Sequence, residues 1–266
     1  MPKVSFITAV KNRSVELEEM LESLVRQDSQ DWEAIIVDDH SEEPIEGVVA
    51  KFSDSRFKYF RLPDNLSGVS NARNFAVDQA QTEIMITADG DDINWPARAH
   101  YTYEVMMQSH CDVFYSHIIF YFANEGKRYD RPFQPYNADL FKMVNFITNP
   151  GTAFRKDMFL KVGKFDPEFI LSEDYDLYLR MQNAGAKFCY TPLVLAEYRI
   201  GDKNVTVEKR ELLHSFIQKT RIKNNIPPVD LERVKELAQK EVADDFLYQK
   251  EIWRDERFLE SKNEGL

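Results

Sequence analysis

Residues 83–92 read Glu-Ile-Met-Ile-Thr-Ala-Asp-Gly-Asp-Asp. An apolar run long enough for one strand stops at an acidic turn. The pattern recurs upstream. Residues 34–37, Ala-Ile-Ile-Val, form a short continuous apolar run of the kind buried on both faces of a parallel sheet, and end in Asp38-Asp39-His40-Ser41. Residues 4–10 are a further β-type run and end near Asn12-Arg13, and residues 57–61 supply another. Helical spacing fills the gaps: Leu17, Met20, Leu21, Leu24 and Val25 after Ser14, which is placed to cap; then Ile45, Val48, Val49 and Phe52; then residues 67–80. This β-α-β-α-β-α-β alternation predicts a doubly wound parallel sheet. Ligands of such sheets bind at the carboxyl ends of the strands, where Asn12-Arg13, Asp38-Asp39 and Asp89 to Asp92 fall.

The second half is less regular. Pro96 opens a helix to about Gln108, residues 111–122 read as a long strand, and residues 124–135 as a loop. A helix is expected over 138–146, a turn at Asn149-Pro150-Gly151, and a helix over 173–183 stopped near Gly185. From about Val207 the chain reads as helical and charged. Leu231, Val234, Ala238, Val242 and Phe246 form an apolar stripe after a break at Pro227-Pro228.

The 266 residues are 43 % hydrophobic and 30 % charged, which predicts a packed globule. The net charge is −11 and no basic stripe stands out, which argues against a nucleic-acid partner. Cys111 and Cys189 are far apart and form no CxxC pair, so neither zinc nor redox chemistry is indicated and a reducing compartment is expected. The N-terminal apolar run is too short for a signal peptide, and residues 113–122 are too short to span a bilayer. A cytoplasmic protein is expected, with peripheral contact at the inner face of the plasma membrane left open. The basic group Lys209, Arg210, Lys219, Arg221 and Lys223 hints at anionic lipid but reads better as a solvated helix face.

Asp89-Gly90-Asp91-Asp92 is the strongest local signal. Hard oxygen ligands at alternating positions suit Mg²⁺ or Mn²⁺, which can bridge a diphosphate, and Gly90 allows close backbone approach. The competing reading, a solvated acidic turn, loses ground because the turn ends an apolar strand. A carboxylate of Asp38-Asp39 could accept the imide N–H of a uracil ring, or Asp39 or Ser41 could cap the next helix. Arg73, at a helix start, suits phosphate, although a surface ion pair is the commoner role. Glu173-Asp174 opens a helix. A carboxylate there could take a proton from a hydroxyl, but acidic residues in a first turn also offset the helix dipole, and that is the simpler reading. None of His40, His100, His110, His117 and His214 has metal-ligand spacing with another. The aromatic strand 114–122 reads as core.

In order, the stretches VSFITAVKNR, IIVDDHSEE, NLSGVSNARN, MITADGDDINWP, NPGTAFRKDMFLKVGKFDPEF, SEDYDLYLRMQNAG and YRIGDKNVT resemble the family 2 glycosyltransferases. The resemblance implies the GT-A (Rossmann-like) fold: an α/β protein with a mixed, mainly parallel sheet flanked by helices. It covers residues 1–206, with about 1–95 as the nucleotide-sugar half and 96–206 as the acceptor half. Residues 207–266 would be a C-terminal helical extension, a candidate homodimer contact through an apolar stripe that more often packs on the parent domain. It also implies an inverting transferase of the hexosyl or N-acetylhexosaminyl class, using a nucleotide-sugar donor, UDP by preference, and Mn²⁺ or Mg²⁺. The acceptor would be a glycan or lipid-linked glycan in surface polysaccharide, lipopolysaccharide or glycoprotein glycan assembly. Thr8 and Asp38 or Asp39 would line the base pocket, with Asp38 favoured for the ring. Ala9, Asn12, Arg13, Arg73 and Gly90 would lie at the nucleotide. Asp91 would be the chief metal ligand and Asp89 would touch ribose or metal. Asp174 would be the base, beside Glu173. The chain departs from the family's pattern at three places. Ala9 and Lys11 replace a proline and an aromatic residue, His40 replaces a glycine, and Gly201 replaces a histidine, a loss that Lys203 could offset at the diphosphate. Two other functions remain: a catalytically weakened nucleotide-sugar-binding protein, and a sugar nucleotidyltransferase. The second is disfavoured because residues 9–13 hold no glycine.

Overall fold

The computed structural model describes residues 1–201, 204 and 209–228. The chain divides into Met1–Ile226 and Pro227–Leu266, and only Pro227 and Pro228 of the second unit are among the described residues. The expected stripe from Leu231 to Phe246 and Lys203 lie outside them.

Strands β1 (Val4–Val10), β2 (Trp32–Asp38), β3 (Phe57–Arg61) and β4 (Ile84–Thr87) are parallel neighbours in the order β3-β2-β1-β4. They alternate with α1 (Ser14–Val25), α2 (Ile45–Ala50) and α3 (Val69–Gln79), as the periodicity predicts. All seven positions of β2 are buried, which explains its unbroken apolar run. The cap of α1 differs from expectation. The Ser14 hydroxyl does not cap; instead the Glu43 carboxylate accepts the Ser14 backbone N–H at 2.7 Å, so a neighbouring loop satisfies the helix end. Neither Asp39 nor Ser41 caps α2, whose N-cap position is Pro44.

Beyond β4 the sheet becomes mixed. The elements are β5 (Ile93–Asn94), α4 (Arg98–Ser109), β6 (Val113–Phe122), β7 (Lys127–Arg131), α5 (Ala138–Met143), a 3₁₀ turn (Asn149–Gly151), β8 (Thr152–Arg155), α6 (Lys156–Lys161), α7 (Glu173–Asn183), β9 (Phe188–Ile200) and α8 (Arg210–Lys223). The sheet continues as β4-β8-β6-β9-β5, with β7 paired to β6. The expected loop at 124–135 therefore contains a strand, Lys-Arg-Tyr-Asp-Arg, whose exposed edge position permits its polarity. β6 and β9 run parallel, pairing Val113 with Phe188. This brings Cys111 and Cys189 to a Cα separation of 6.0 Å, where they are joined as a disulfide, in contrast to the two separate thiols expected. Among the described residues no helix is long and apolar enough to cross a membrane.

Helix α8 is fastened to α7 by a buried carboxylate. Asp176 accepts from Arg180 Nε at 2.9 Å, Lys223 Nζ at 2.9 Å and Asn224 Nδ2 at 3.1 Å. Lys219 pairs with Glu168 at 3.2 Å, and Arg221 donates to the Met143 carbonyl at 3.2 Å. These cations of the basic group are thus engaged within the fold.

The 3₁₀ turn sits tightly over β6. A Cβ on Gly151 would lie 2.9 Å from both Ile118 Cγ2 and the Ser116 carbonyl oxygen, and the latter belongs to a paired strand that cannot yield cheaply. Gly151→Ala is therefore expected to lower unfolding stability by about 1–3 kcal/mol, the usual cost of overpacking. Urea denaturation checks this; an unchanged midpoint would contradict the close approach.

Candidate active site

Strand register places the acidic clusters on one edge. Val10 pairs with Asp38 and Ile7 with Thr87, so the ends of β1, β2 and β4 lie side by side. The Asp39 N–H donates to the Val10 carbonyl at 2.9 Å and the Ala88 N–H to the Ile7 carbonyl at 3.1 Å, which continues the alignment into the loops.

The two carboxylates after β2 are used differently. Asp38 Oδ1 accepts the Ser41 N–H at 2.8 Å, while its Oδ2 faces the Tyr59 hydroxyl at 3.2 Å and Arg61 at 3.3 Å. Burial, and then the Asp38 charge, pushes the Tyr59 hydroxyl above its ordinary value. Asp39 Oδ2 accepts the Gly68 N–H at 3.0 Å with Lys11 Nζ at 3.7 Å, but its buried Oδ1 has no partner. Thr8 Oγ1, fully buried on β1, also lacks one. Unpaired buried polar atoms are costly and rare, and these two lie toward the carboxyl ends of β1 and β2. Asn12 is a latch between loops: its N–H donates to Ser41 Oγ at 2.9 Å and its Oδ1 accepts the Glu42 N–H at 2.8 Å. His40 takes the left-handed backbone, φ 58°, a conformation that favours glycine, and its Nε2 bonds the Leu66 carbonyl at 2.9 Å.

The loop after β4 is held from several sides. A Cβ on Gly90 would stand 3.0 Å from the Val10 side chain and 3.5 Å from the Ala9 carbonyl, so the loop backbone lies directly on β1. Asp89 Oδ1 receives Arg73 Nη2 at 2.6 Å and Oδ2 receives Asn149 Nδ2 at 3.0 Å. Arg199 Nε donates to the Asp91 carbonyl at 2.9 Å, and its N–H to Asp92 Oδ1 at 3.1 Å. The Asp91 carboxylate, by contrast, has Arg13 no nearer than 3.8 Å. Burial first and the Asp89 charge second push the Asp91 carboxyl up to about 6. Asp92 is driven well above the usual range by burial and by Asp91, and its Oδ2 is unpartnered.

Arg73 is 4 % exposed and forks between two carboxylates: Nη2 to Asp89, and Nη1 to Glu173 Oε1 at 2.6 Å. Burial opposes its charge, but the two carboxylates outweigh that and hold the guanidinium firmly protonated. Its Nε has no partner. The residue expected at the nucleotide thus ties the acidic loop to α7. Ser172, in the left-handed region at φ 63°, turns the chain into α7. Asp174 Oδ1 accepts the Tyr175 N–H at 2.6 Å. Burial and then Glu173 push the partly exposed Asp174 carboxyl up to about 7, with Asp89 adding to the shift and Arg73 opposing it.

Asn149 and Arg199 were not among the expected site residues, although both lie in stretches that carry the family resemblance, NPGTAFRKDMFLKVGKFDPEF and YRIGDKNVT. They arrive through the 3₁₀ turn and β9, far away in sequence. Among the described residues no group of three or more His, Cys, Asp or Glu side chains is gathered for a metal ion. Asp89 and Asp91 alone are nonetheless a fitting set for Mg²⁺ or Mn²⁺, which take one or two carboxylates together with substrate phosphates. The weakly compensated charge at Asp91 favours a cation there. The Gly201 backbone N–H donates to Asn204 Oδ1 at 2.5 Å.

A putative colanic acid biosynthesis glycosyl transferase of Escherichia coli is 31 % identical to this chain over 192 residues, 68 % of this chain and 66 % of that protein. S. aureus TarS in complex with UDP-GlcNAc matches with a TM-score of 0.66 at 18 % identity, covering 89 % of this chain and 71 % of that one; a longer TarS chain is covered over 42 % of its length. The mannosyltransferase PcManGT from Pyrobaculum calidifontis, in complex with GDP-Man and Mn²⁺, matches with a TM-score of 0.63 at 16 % identity over 84 % of this chain and 64 % of that one. The two structures show the shared GT-A fold. The sequence pattern of glycosyl transferase family 2 matches residues 5–163, more than half of the sequence, and the chain belongs to that family.

Proposed function

We propose that this protein is a metal-dependent, inverting glycosyltransferase that moves a sugar from a nucleoside diphosphate donor, UDP by preference, to an acceptor hydroxyl. The observation that carries this reading is Asp174, a carboxyl held up to about 7 and joined through Glu173 and Arg73 to the acidic loop at the donor edge. A base poised near neutral pH is suited to accept a hydroxyl proton as the oxygen attacks. One displacement from the face opposite the leaving group inverts the anomeric carbon. Asp39 Oδ1 would take the imide N–H of uracil in place of the Asp38 favoured from the sequence, because both Asp38 oxygens are already engaged, with Thr8 also lining the pocket. Asp91 with Asp89 would hold Mn²⁺ or Mg²⁺, which supplies positive charge beside the departing diphosphate. Lys203 would contribute to the same diphosphate. Residues 1–95 serve the donor and 96–206 the acceptor, a glycan or lipid-linked glycan in surface polysaccharide, lipopolysaccharide or glycoprotein glycan assembly. The E. coli relative's colanic acid role supports that setting.

Calorimetric titration with UDP, with and without Mn²⁺, tests the donor site. Binding is expected to need the metal and to weaken at least about tenfold in Asp91→Ala, the loss of a carboxylate contact to the cation that meets the diphosphate. No binding of UDP, GDP or dTDP under any metal condition would sink the reading. Binding without transfer or donor hydrolysis would identify a nucleotide-sugar-binding protein instead.

A further inference from the structure

Asn149 is 5 % exposed and comes from the Asn-Pro-Gly turn before β8. Its amide is used from both ends. Nδ2 donates to Asp89 Oδ2 at 3.0 Å, and Oδ1 faces the hydroxyl of Tyr178, on α7, at 3.4 Å. An end-for-end flip would turn the amide oxygen toward a carboxylate, so the orientation is fixed by charge. Its own carbonyl lies against the Thr87 hydroxyl, which pins the turn to β4.

Two bridges therefore run from α7 to one carboxylate. Glu173 reaches Asp89 Oδ1 through Arg73, and Tyr178 reaches Asp89 Oδ2 through Asn149. Glu173 and Tyr178 are five residues apart, about 7.5 Å along a helix. The buried face of α7, with Tyr175, Leu177, Leu179 and Met181, seats the helix in the core, and the two bridges add polar restraints that set the rotation of its partly exposed first turns. Asp174 lies between them, so its direction follows from that rotation. We propose that Asn149 is a positioning residue of the transfer reaction, the second of two struts from Asp89 that set the helix carrying Asp174. The inference rests on the reading of Asp174 as the base.

The test uses the full chain with Mn²⁺ and the UDP-sugar it turns over, comparing the wild type with Asn149→Ala, Asn149→Asp, Tyr178→Phe and the Asn149→Ala/Tyr178→Phe double variant. Asn149→Asp keeps the shape and replaces the donating amide by an oxygen. Both Asn149 variants are expected to lose between about tenfold and a hundredfold in kcat, the scale of a small misplacement, with a smaller change in donor KM and UDP affinity because Asn149 also steadies Asp89. The double variant is expected to be no slower than Asn149→Ala alone. Hydrogen exchange over 173–178 is expected to quicken in Asn149→Ala while β1 and β2 keep their protection. An Asn149→Asp protein with wild-type kcat, losses that multiply in the double variant, or a parallel loss of UDP affinity would overturn the proposal. Failure of the base reading is distinguishable: Asp174→Asn would then turn over like the wild type, and the exchange at α7 would still report whether Asn149 holds the helix.

Discussion

Asp174→Asn is expected to lose about 10²–10⁴-fold in turnover, the span that a positioned general base supplies, and yet to be more stable than the wild type at pH 8. Burial and the neighbouring Glu173 raise the Asp174 carboxyl to about 7, with Asp89 adding to the shift and Arg73 opposing it. Between the ordinary value near 3.8 and about 7 the folded protein holds a proton that the unfolded chain has released. Stability contributed by this group therefore falls as pH rises through that window, and the cost is complete above it. An amide is neutral throughout, so the variant escapes the cost. Three units correspond to at most about 4 kcal/mol, reduced by solvent because the side chain is partly exposed. Denaturation at pH 4 and pH 8 checks the sign: the stability gain should be present at pH 8 and vanish near pH 4. Wild-type kcat/KM should rise through about pH 7 as the base ionises. An Asp174→Asn protein less stable at both pH values would show that the carboxylate is a structural anchor.

This opposition between stability and chemistry could not be read from the sequence, where Glu173-Asp174 looks like an acidic first turn offsetting a helix dipole. The alternation of β1 to β4 with α1 to α3 was legible because each element carries its own period, although β4 returns beside β1 rather than β3. β5 has two residues, β7 is polar, and β8 and β9 take their places by pairings set far away in sequence, so local patterns were silent. The candidate site divides along the same line. The acidic clusters lie at strand ends and were found. Which of Asp38 and Asp39 keeps a free oxygen depends on Tyr59, Arg61 and Gly68, which only the tertiary fold brings near. Arg73 was picked out as a phosphate candidate, but its pairing with Glu173, a hundred residues away, is set by the tertiary fold.

Arg98 is expected to be the most damaging single loss to the fold. It is 2 % exposed, and its guanidinium donates to Asn94 Oδ1, to the Thr87 carbonyl at 2.6 Å and to the Pro150 carbonyl. Burial lowers its affinity for a proton to about 10, with Asp92 and Asp89 opposing, so it is still charged at neutral pH and its desolvation is a standing cost. That cost argues that Arg98→Met, which keeps the stem, could be benign. Two effects outweigh it. The substitution orphans three buried acceptors, each worth about 1–3 kcal/mol when unpaired. It also removes the cation nearest in effect to Asp92, whose buried Oδ2 already has no partner. Breaking one side of a buried charge arrangement typically costs about 3–5 kcal/mol, a large share of the roughly 5–15 kcal/mol of a whole domain. Arg98→Lys should rescue little, because one ammonium on a straight stem cannot span acceptors on β4, β5 and the 3₁₀ turn at once. Urea denaturation of both variants decides the matter. A loss of midpoint without loss of slope is expected for each, larger for Met than for Lys. If Arg98→Met matched the wild type, the desolvation cost would be the larger effect, and the Asn149–Asp89 bond with the Thr87 and Gly151 contacts would suffice to hold the acidic loop to the Asn149 turn.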